Sequence, residues 1–187
     1  RDASRAFGLP TIEIEGYEAD DIIATYARLA READRPTTII SSDKDLMQLV
    51  CPQVAMWDPM KNIPIGPDEV RAKFGVDPDR VIDVQALAGN SVDNVPGVPG
   101  IGIKTAAQLI QDYGDLETLL DRAGEIKQAK RRENLINHAE DARISKRLVT
   151  LDDRVEVAFG VDALVRPPID QETATAFLEE NAFKTLL

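Results

Sequence analysis

The sequence predicts an α/β fold in two parts, a parallel sheet with helices followed by a run of short helices around a glycine-rich hairpin. Three observations carry this. Short β-branched runs alternate with a segment of helical period between Thr11 and Trp57, the pattern of parallel βα units. After Pro67 the apolar spacing becomes helical. Between those later helices, Val95 to Gly102 concentrates glycine and proline, which marks a turn region.

Taken in order, Thr11-Ile12-Glu13-Ile14 alternates and predicts a short strand. From Glu18 to Ala33 the apolar residues Ile22, Ile23, Tyr26, Ala27, Leu29 and Ala30 form one helical face. Thr37-Thr38-Ile39-Ile40 reads as a buried strand, and Val54-Ala55-Met56-Trp57 as another. Short helices are expected over 68–74, 78–88, 104–113 and 116–120, with Ala106, Ala107, Leu109 and Ile110 turned inward. Residues 130–150 predict one longer basic helix. Val155-Glu156-Val157 predicts a strand, Pro167-Pro168 a break, and 171–183 a final helix. The change of texture places a boundary near residue 66, giving parts 1–66 and 67–187.

Of 187 residues, 43% are hydrophobic, enough for a packed core. A single cysteine, Cys51, excludes an internal disulfide framework and a cysteine-based zinc site, and fits a reducing cytoplasm. No apolar stretch approaches the length of a membrane span, and nothing resembles a signal peptide. The chain opens on Arg1 rather than Met, which reads as part of something longer. The net charge of −11 runs against simple nucleic-acid binding, where a basic face is usual. Charge is segregated, however. Lys127, Lys130, Arg131 and Arg132 form a basic block, with Arg143, Lys146 and Arg147 beyond it.

Acidic residues cluster early. Glu18, Asp20 and Asp21 stand in G-Y-E-A-D-D, with Glu13 and Glu15 upstream; Asp43 and Asp45 stand in S-S-D-K-D-L; Asp93 precedes the hairpin. Each cluster alone has a bland reading. Acids at a helix start cap it and face its positive end, and Asp43 can cap a helix from Lys44 to Val50. Jointly they fall just beyond two strand ends, where α/β sheets place their ligand sites. Asp43 and Asp45 are two apart, so in extended backbone they point one way and Lys44 the other. Crowded carboxylates repel unless a cation compensates, and oxygen ligands without His or Cys suit Mg²⁺ or Mn²⁺. A divalent-metal site is the better joint reading.

The run P-G-V-P-G-I-G-I-K-T-A from Pro96 to Ala106 has the shape of a helix–hairpin–helix. Glycine permits positive φ and close backbone approach, and the amides opening the next helix face outward toward a phosphate. Gly97, Gly100 and Gly102 would allow that approach, Lys104 adds charge, Thr105 a hydroxyl, and Ile101 an anchor in the core. The bland reading is an ordinary loop between helices. Cys51 and Trp57 read as core residues, and His138 as a basic-helix residue without an acidic partner.

The three motifs, in this order and spacing, resemble the 5′-nuclease domains of the flap endonuclease family, as found in bacterial DNA polymerase I. The likeness extends to the closing A-x-x-F-L-E-E-N-A-F-K-T-L-L. It implies a partial parallel-sheet, PIN-like nuclease core over 1–66 and, over 67–187, a helical subdomain with a helix–three-turn–helix DNA-binding element. It implies two-metal hydrolysis with Mg²⁺ or Mn²⁺, held by Glu18, Asp20, Asp21, Asp43, Asp45, Asn90 and Asp93. Catalysis falls to Asp20, Asp21, Asp43 and Asp45. The hairpin residues Gly97, Gly100, Ile101, Gly102, Lys104 and Thr105 would hold duplex or 5′-flap DNA, with a K⁺ ion on the hairpin carbonyls. A polymerase domain on the same chain is implied, with no membrane contact and no oligomer.

Two departures from the family stand out. Asn90 occupies a position that is usually acidic, which predicts weaker binding of the second metal. The family's first strand, with a metal-binding Asp, and its helical arch have no counterpart, so the chain is expected to be a fragment with little or no activity alone. Besides that fragment, two readings remain open: a duplex-binding module whose acids are vestigial, and a nuclease-like protein without a polymerase.

Overall fold

The computed structural model describes residues 1–183, 185 and 186; Lys184 and Leu187 of the closing motif lie outside the described residues. After a short helix α1 (Asp2–Ala6), helix α2 (Ala19–Glu32) leads into strand β1 (Thr37–Ile40). A 3₁₀ turn over Asp45–Leu49 connects it to β2 (Val54–Asp58) and β3 (Ile63–Ile65). Helices follow: α3 (Pro67–Phe74), α4 (Val81–Ala88), α5 (Ile103–Tyr113), α6 (Leu116–Asp121), α7 (Ala129–Asn137), α8 (Ala139–Val149) and α9 (Gln171–Glu180).

The sheet is mixed, where a parallel one is expected. β1 pairs parallel to β2 with Thr37 opposite Val54, and β2 pairs antiparallel to β3 with Met56 opposite Ile65. Sequence reasoning misses β3 because Pro64 interrupts it. Proline lacks the ladder N–H and is tolerated at a sheet margin, which β3 is. β1 is not a buried strand but the other margin: Ile39 enters the core, while Ile40 is 70% exposed.

Two expected strands are absent. Residues 11–14 keep the alternation, with Ile12 and Ile14 half-buried, but no neighbouring strand supplies a ladder. Around Val155 the chain is laid across α2 by side chains. The Thr25 hydroxyl accepts from the Val155 amide at 3.1 Å, and Arg28 Nε donates to the Asp153 carbonyl at 2.8 Å. The expected basic helix over 130–150 divides at His138, whose backbone (φ −113, ψ 24) leaves the helix. Glu140 and Asp141 then open α8, where helix N-termini favour acids. The last helix stops at Glu180.

One hydrophobic cluster runs through the molecule. Ile39, Leu46, Val54 and Met56 from the sheet side are continuous with Val84, Leu87, Ile101, Ala106, Ile110 and Leu135 from the helices. α2 buries Ile22, Ala24, Ala27 and Ala30, as its period requires. No helix among the described residues is long and apolar enough to cross a membrane.

Candidate nuclease site and hairpin

Four segments bring acids into one region. Glu18 caps α2 in extended conformation, and Asp20 and Asp21 occupy its first turn. Asp43 and Asp45 follow β1; Asp93 lies in the loop after α4. Burial raises the Asp20 carboxyl above its ordinary range, and the negative charges of Asp43, Asp45, Glu18 and Asp21 raise it further. Asp45 is raised by burial as well. A hydrogen bond from Gln85 and the Lys44 charge oppose this, while Asp43 and Asp93 add to it. The carboxylates therefore lie within one another's field, and Lys44 is the only cation acting on Asp20 or Asp45 in this way.

They share a field without forming a cage. Among the described residues no three Asp, Glu, His or Cys side chains converge tightly enough to hold an ion as they stand. Several are engaged locally. Asp21 accepts from the Asp152 amide at 2.9 Å, and Asp43 accepts from the Asp45 amide at 2.9 Å, capping the 3₁₀ turn. Asp45 accepts from Gln85 Nε2, and Asp93 from Asn90 Nδ2. The extended-backbone argument for Asp43 and Asp45 fails, because Lys44 is helical (φ −68, ψ −25). Behind them, buried Asp58 on β2 accepts the Ser42 hydroxyl at 2.6 Å and the Met60 amide at 2.9 Å, which fixes the loop. The donor set remains all oxygen, with negative charge in excess of its partners, and so fits a hard divalent cation.

The hairpin is built where expected, with its glycines divided between two tasks. The Asn90 and Val95 backbones exchange bonds of 2.9 and 2.8 Å and close a small loop through Asn94, whose φ is 56. Gly97 is a correction. It is buried with φ +61, a Cβ there would sit 2.5 Å from the Gly89 nitrogen, and its amide donates to Ser145 Oγ at 2.9 Å. It is a packing contact, not a surface for phosphate. Ile101 is 4% exposed and anchors the turn in the core.

The outward part is Gly100, Gly102, Ile103 and Lys104, all exposed, with Thr105 half-buried. Gly100 takes φ +78, whereas Gly102 is ordinary extended backbone with open space around it. Gly102 starts α5, and no side chain caps that helix, so its first amides face outward. Asn134 of α7 braces the turn by donating to the Pro99 carbonyl at 2.7 Å.

Sequence reasoning misses Gln85, Asn134 and Ser145. Only Gln85 leaves a local signal, as the lone uncharged polar residue in the apolar run V-I-D-V-Q-A-L-A. His138 has an acidic partner after all: its Nδ1 lies 2.8 Å from Asp141, one helical turn on.

Comparison with known proteins agrees with this architecture. Residues 1–75 match the family described as 5′-3′ exonuclease, N-terminal resolvase-like domain, and residues 76–172 match 5′-3′ exonuclease, C-terminal SAM fold. DNA polymerase I of Rhizobium leguminosarum is 56% identical over 186 residues, covering 100% of this chain and 18% of that protein. DNA polymerase I of Bacillus caldotenax is 38% identical, covering 100% of this chain and 22% of that protein. The chain thus spans about a fifth of the length of these relatives. Among solved structures, the T5 5′-exonuclease with bound divalent zinc superposes with a TM-score of 0.72 at 26% identity, over 91% of this chain and 61% of that one. The bacteriophage T5 flap endonuclease in a complex with DNA and metal ions gives 0.71 at 25%, over the same shares. The catalytic core of Rad2 with DNA shares the fold at 0.60 and 16% identity, over 95% of this chain and 60% of that one.

Proposed function

The chain belongs to the 5′-3′ exonuclease family, and from that premise we propose that it supplies metal-dependent 5′-3′ exonuclease and 5′-flap endonuclease activity within a DNA polymerase I. The observation that supports this best is the gathering of unneutralised acids from four segments, with the open start of α5 set beyond α4.

Glu18, Asp20, Asp21, Asp43, Asp45, Asn90 and Asp93 would hold two divalent cations, Mg²⁺ or Mn²⁺. Such ions supply Lewis acidity toward a phosphodiester and an attacking water. Asp20, Asp21, Asp43 and Asp45 carry the catalytic burden. Asn90 contributes an amide oxygen without charge, and in this structure that oxygen already accepts the Val92 amide at 3.2 Å, which weakens the second position. The exposed amides at the start of α5 take a phosphate of duplex or 5′-flap DNA, Lys104 adds charge, Thr105 a hydroxyl, and Gly102 leaves room for the backbone to approach. A K⁺ ion on the carbonyls of the Gly100–Gly102 turn would share that phosphate. The names of the relatives support a polymerase domain on the same polypeptide, and with it a cytoplasmic setting without oligomerisation. The division into parts 1–66 and 67–187 corresponds to cutting and gripping.

One observation favours a binding module whose acids serve only as braces: Asp21, Asp43, Asp45 and Asp93 all accept local hydrogen bonds. Cleavage of a labelled 5′-flap duplex against Mg²⁺ and Mn²⁺ concentration, in the full polypeptide, separates the two. Metal-dependent cutting lost in Asp43→Ala, with duplex affinity retained, supports the nuclease. Duplex binding with no cutting at any metal concentration supports the module.

A further inference from the structure

Gln85 sits in the middle of α4 and is only 6% exposed. Its neighbours Val84, Ala86 and Leu87 are fully buried. Its Nε2 donates to Asp45 Oδ1, 40 residues away in sequence. Its Oε1 is sealed from solvent and has no hydrogen-bond partner among the described residues. Rotating the amide end over end is no remedy, because an amide oxygen and a carboxylate oxygen are both acceptors.

This arrangement has a cost and needs a reason. An unmade hydrogen bond in an apolar interior destabilises the fold, and leucine would fill the same space without one. Leucine would also leave Asp45 Oδ1 without its donor and free to turn. Lysine or arginine could supply a donor, but a positive charge would neutralise the carboxylate and repel a cation. A buried neutral amide orients a carboxylate while leaving its charge intact. The Asp45 backbone is fixed independently, its amide donating to Asp43 Oδ1 at 2.9 Å, so Gln85 is what restrains the side chain from the α4 side.

We infer that Gln85 is a positioning residue for the acid site, holding Asp45 through a charge-neutral hydrogen bond so that the carboxylate meets a divalent cation in a fixed orientation. This rests on the nuclease reading of the acids, and it ties α4, which runs into the hairpin, to the place where ions bind. Partners that orient a ligand from behind commonly change metal affinity by about 10- to 100-fold when removed.

The test is Mn²⁺ binding to the metal-free protein, read by the loss of free-ion electron paramagnetic resonance signal, with thermal denaturation alongside. Gln85→Leu is expected to weaken Mn²⁺ binding about tenfold without lowering the melting temperature, since it removes the orphaned oxygen too. Gln85→Lys is expected to weaken binding more than Gln85→Leu, because it keeps a donor but adds charge. Asp45→Asn serves as the reference. If Asp45→Asn weakens Mn²⁺ binding and Gln85→Leu does not, the positioning role is overturned while the acid site stands. If Asp45→Asn leaves Mn²⁺ binding unchanged, or the wild type shows no saturable binding, the acid-site reading falls and the proposal with it. A Gln85→Leu protein that loses melting temperature with unchanged Mn²⁺ affinity assigns Gln85 to packing alone and also overturns the role.

Discussion

Substituting alanine for Gly97 and for Gly102, one at a time, tests whether the hairpin glycines divide between holding the fold and meeting DNA. At Gly97 the added methyl would lie 2.5 Å from the Gly89 nitrogen and 2.7 Å from its Cα, against backbone that cannot rotate aside. The residue must also keep φ +61, which costs an L-residue about 1–2 kcal/mol. Forcing an extra carbon into packed surroundings adds about 1–3 kcal/mol. For a chain of this size each kcal/mol moves the melting temperature by about 2–4 °C, so Gly97→Ala should melt roughly 4–20 °C lower. Gly114→Ala isolates the conformational part, since Gly114 has φ +94 but nothing within 4 Å of a Cβ. At Gly102 a Cβ also meets nothing within 4 Å and φ is ordinary, so the loss is that of a tolerant helix N-cap, under about 1 kcal/mol. Its cost should appear in duplex binding, weakened about tenfold, or ~1.4 kcal/mol. Differential scanning fluorimetry and anisotropy of a labelled duplex at fixed salt read the two quantities. A Gly97→Ala protein of wild-type stability, or a Gly102→Ala protein that binds normally, would refute the division.

Lys104→Ala should weaken duplex binding to a similar degree for every sequence and reduce the slope of log K against log salt by about 1; a changed sequence preference would rule out a phosphate contact. Asn90→Asp should lower the Mn²⁺ concentration needed for half-maximal binding, and no change would place Asn90 outside the ion site. In chelator at pH 7, Asp20→Asn should raise the melting temperature. The native Asp20 carboxyl is raised above 3.8, so its ionised form destabilises above that raised value. The gain should shrink as pH falls through the raised value toward 3.8, where the wild-type group becomes protonated; a gain independent of pH would refute the electrostatic cause. Asp58 has the opposite sign: the Ser42 hydroxyl holds it below 3.8, so its contribution is present above 3.8 and lost as pH falls below it. Asp58→Asn should flatten the melting curve's dependence on pH in that acid range.

Legibility in the sequence followed the range of the interactions. α2 and α5 are legible because each buries one face with a steady period, Ile22 to Ala30 in one and Ala106 to Ile110 in the other. β1 and β2 are legible as compact β-branched runs, but that β1 lies at a margin depends on its neighbours and not on its own residues. The break at His138 was written locally, in Glu140 and Asp141, and was outweighed by the basic composition around it. At the site, the acids announce themselves by type and spacing. What holds them does not. Gln85 reaches Asp45 across 40 residues, Asn134 reaches Pro99 across 35, and Ser145 reaches Gly97 across 48. No local pattern encodes such pairs.

The placement of α4 has a consequence for measurement. Its eight residues make a rod about 12 Å long, buried along most of its length. Gln85 on one flank touches the acid region, and the chain leaving its end passes within two residues to Asn90 and on to the turn. The same apolar cluster encloses both, with no hinge between them. The molecule is thus a caliper with a fixed opening: the separation between the acids and the start of α5 is a constant of the backbone. A single residue inserted in α4 would rotate one jaw against the other by about 100° and shift it by about 1.5 Å, changing the gauge while leaving every acid in the chain.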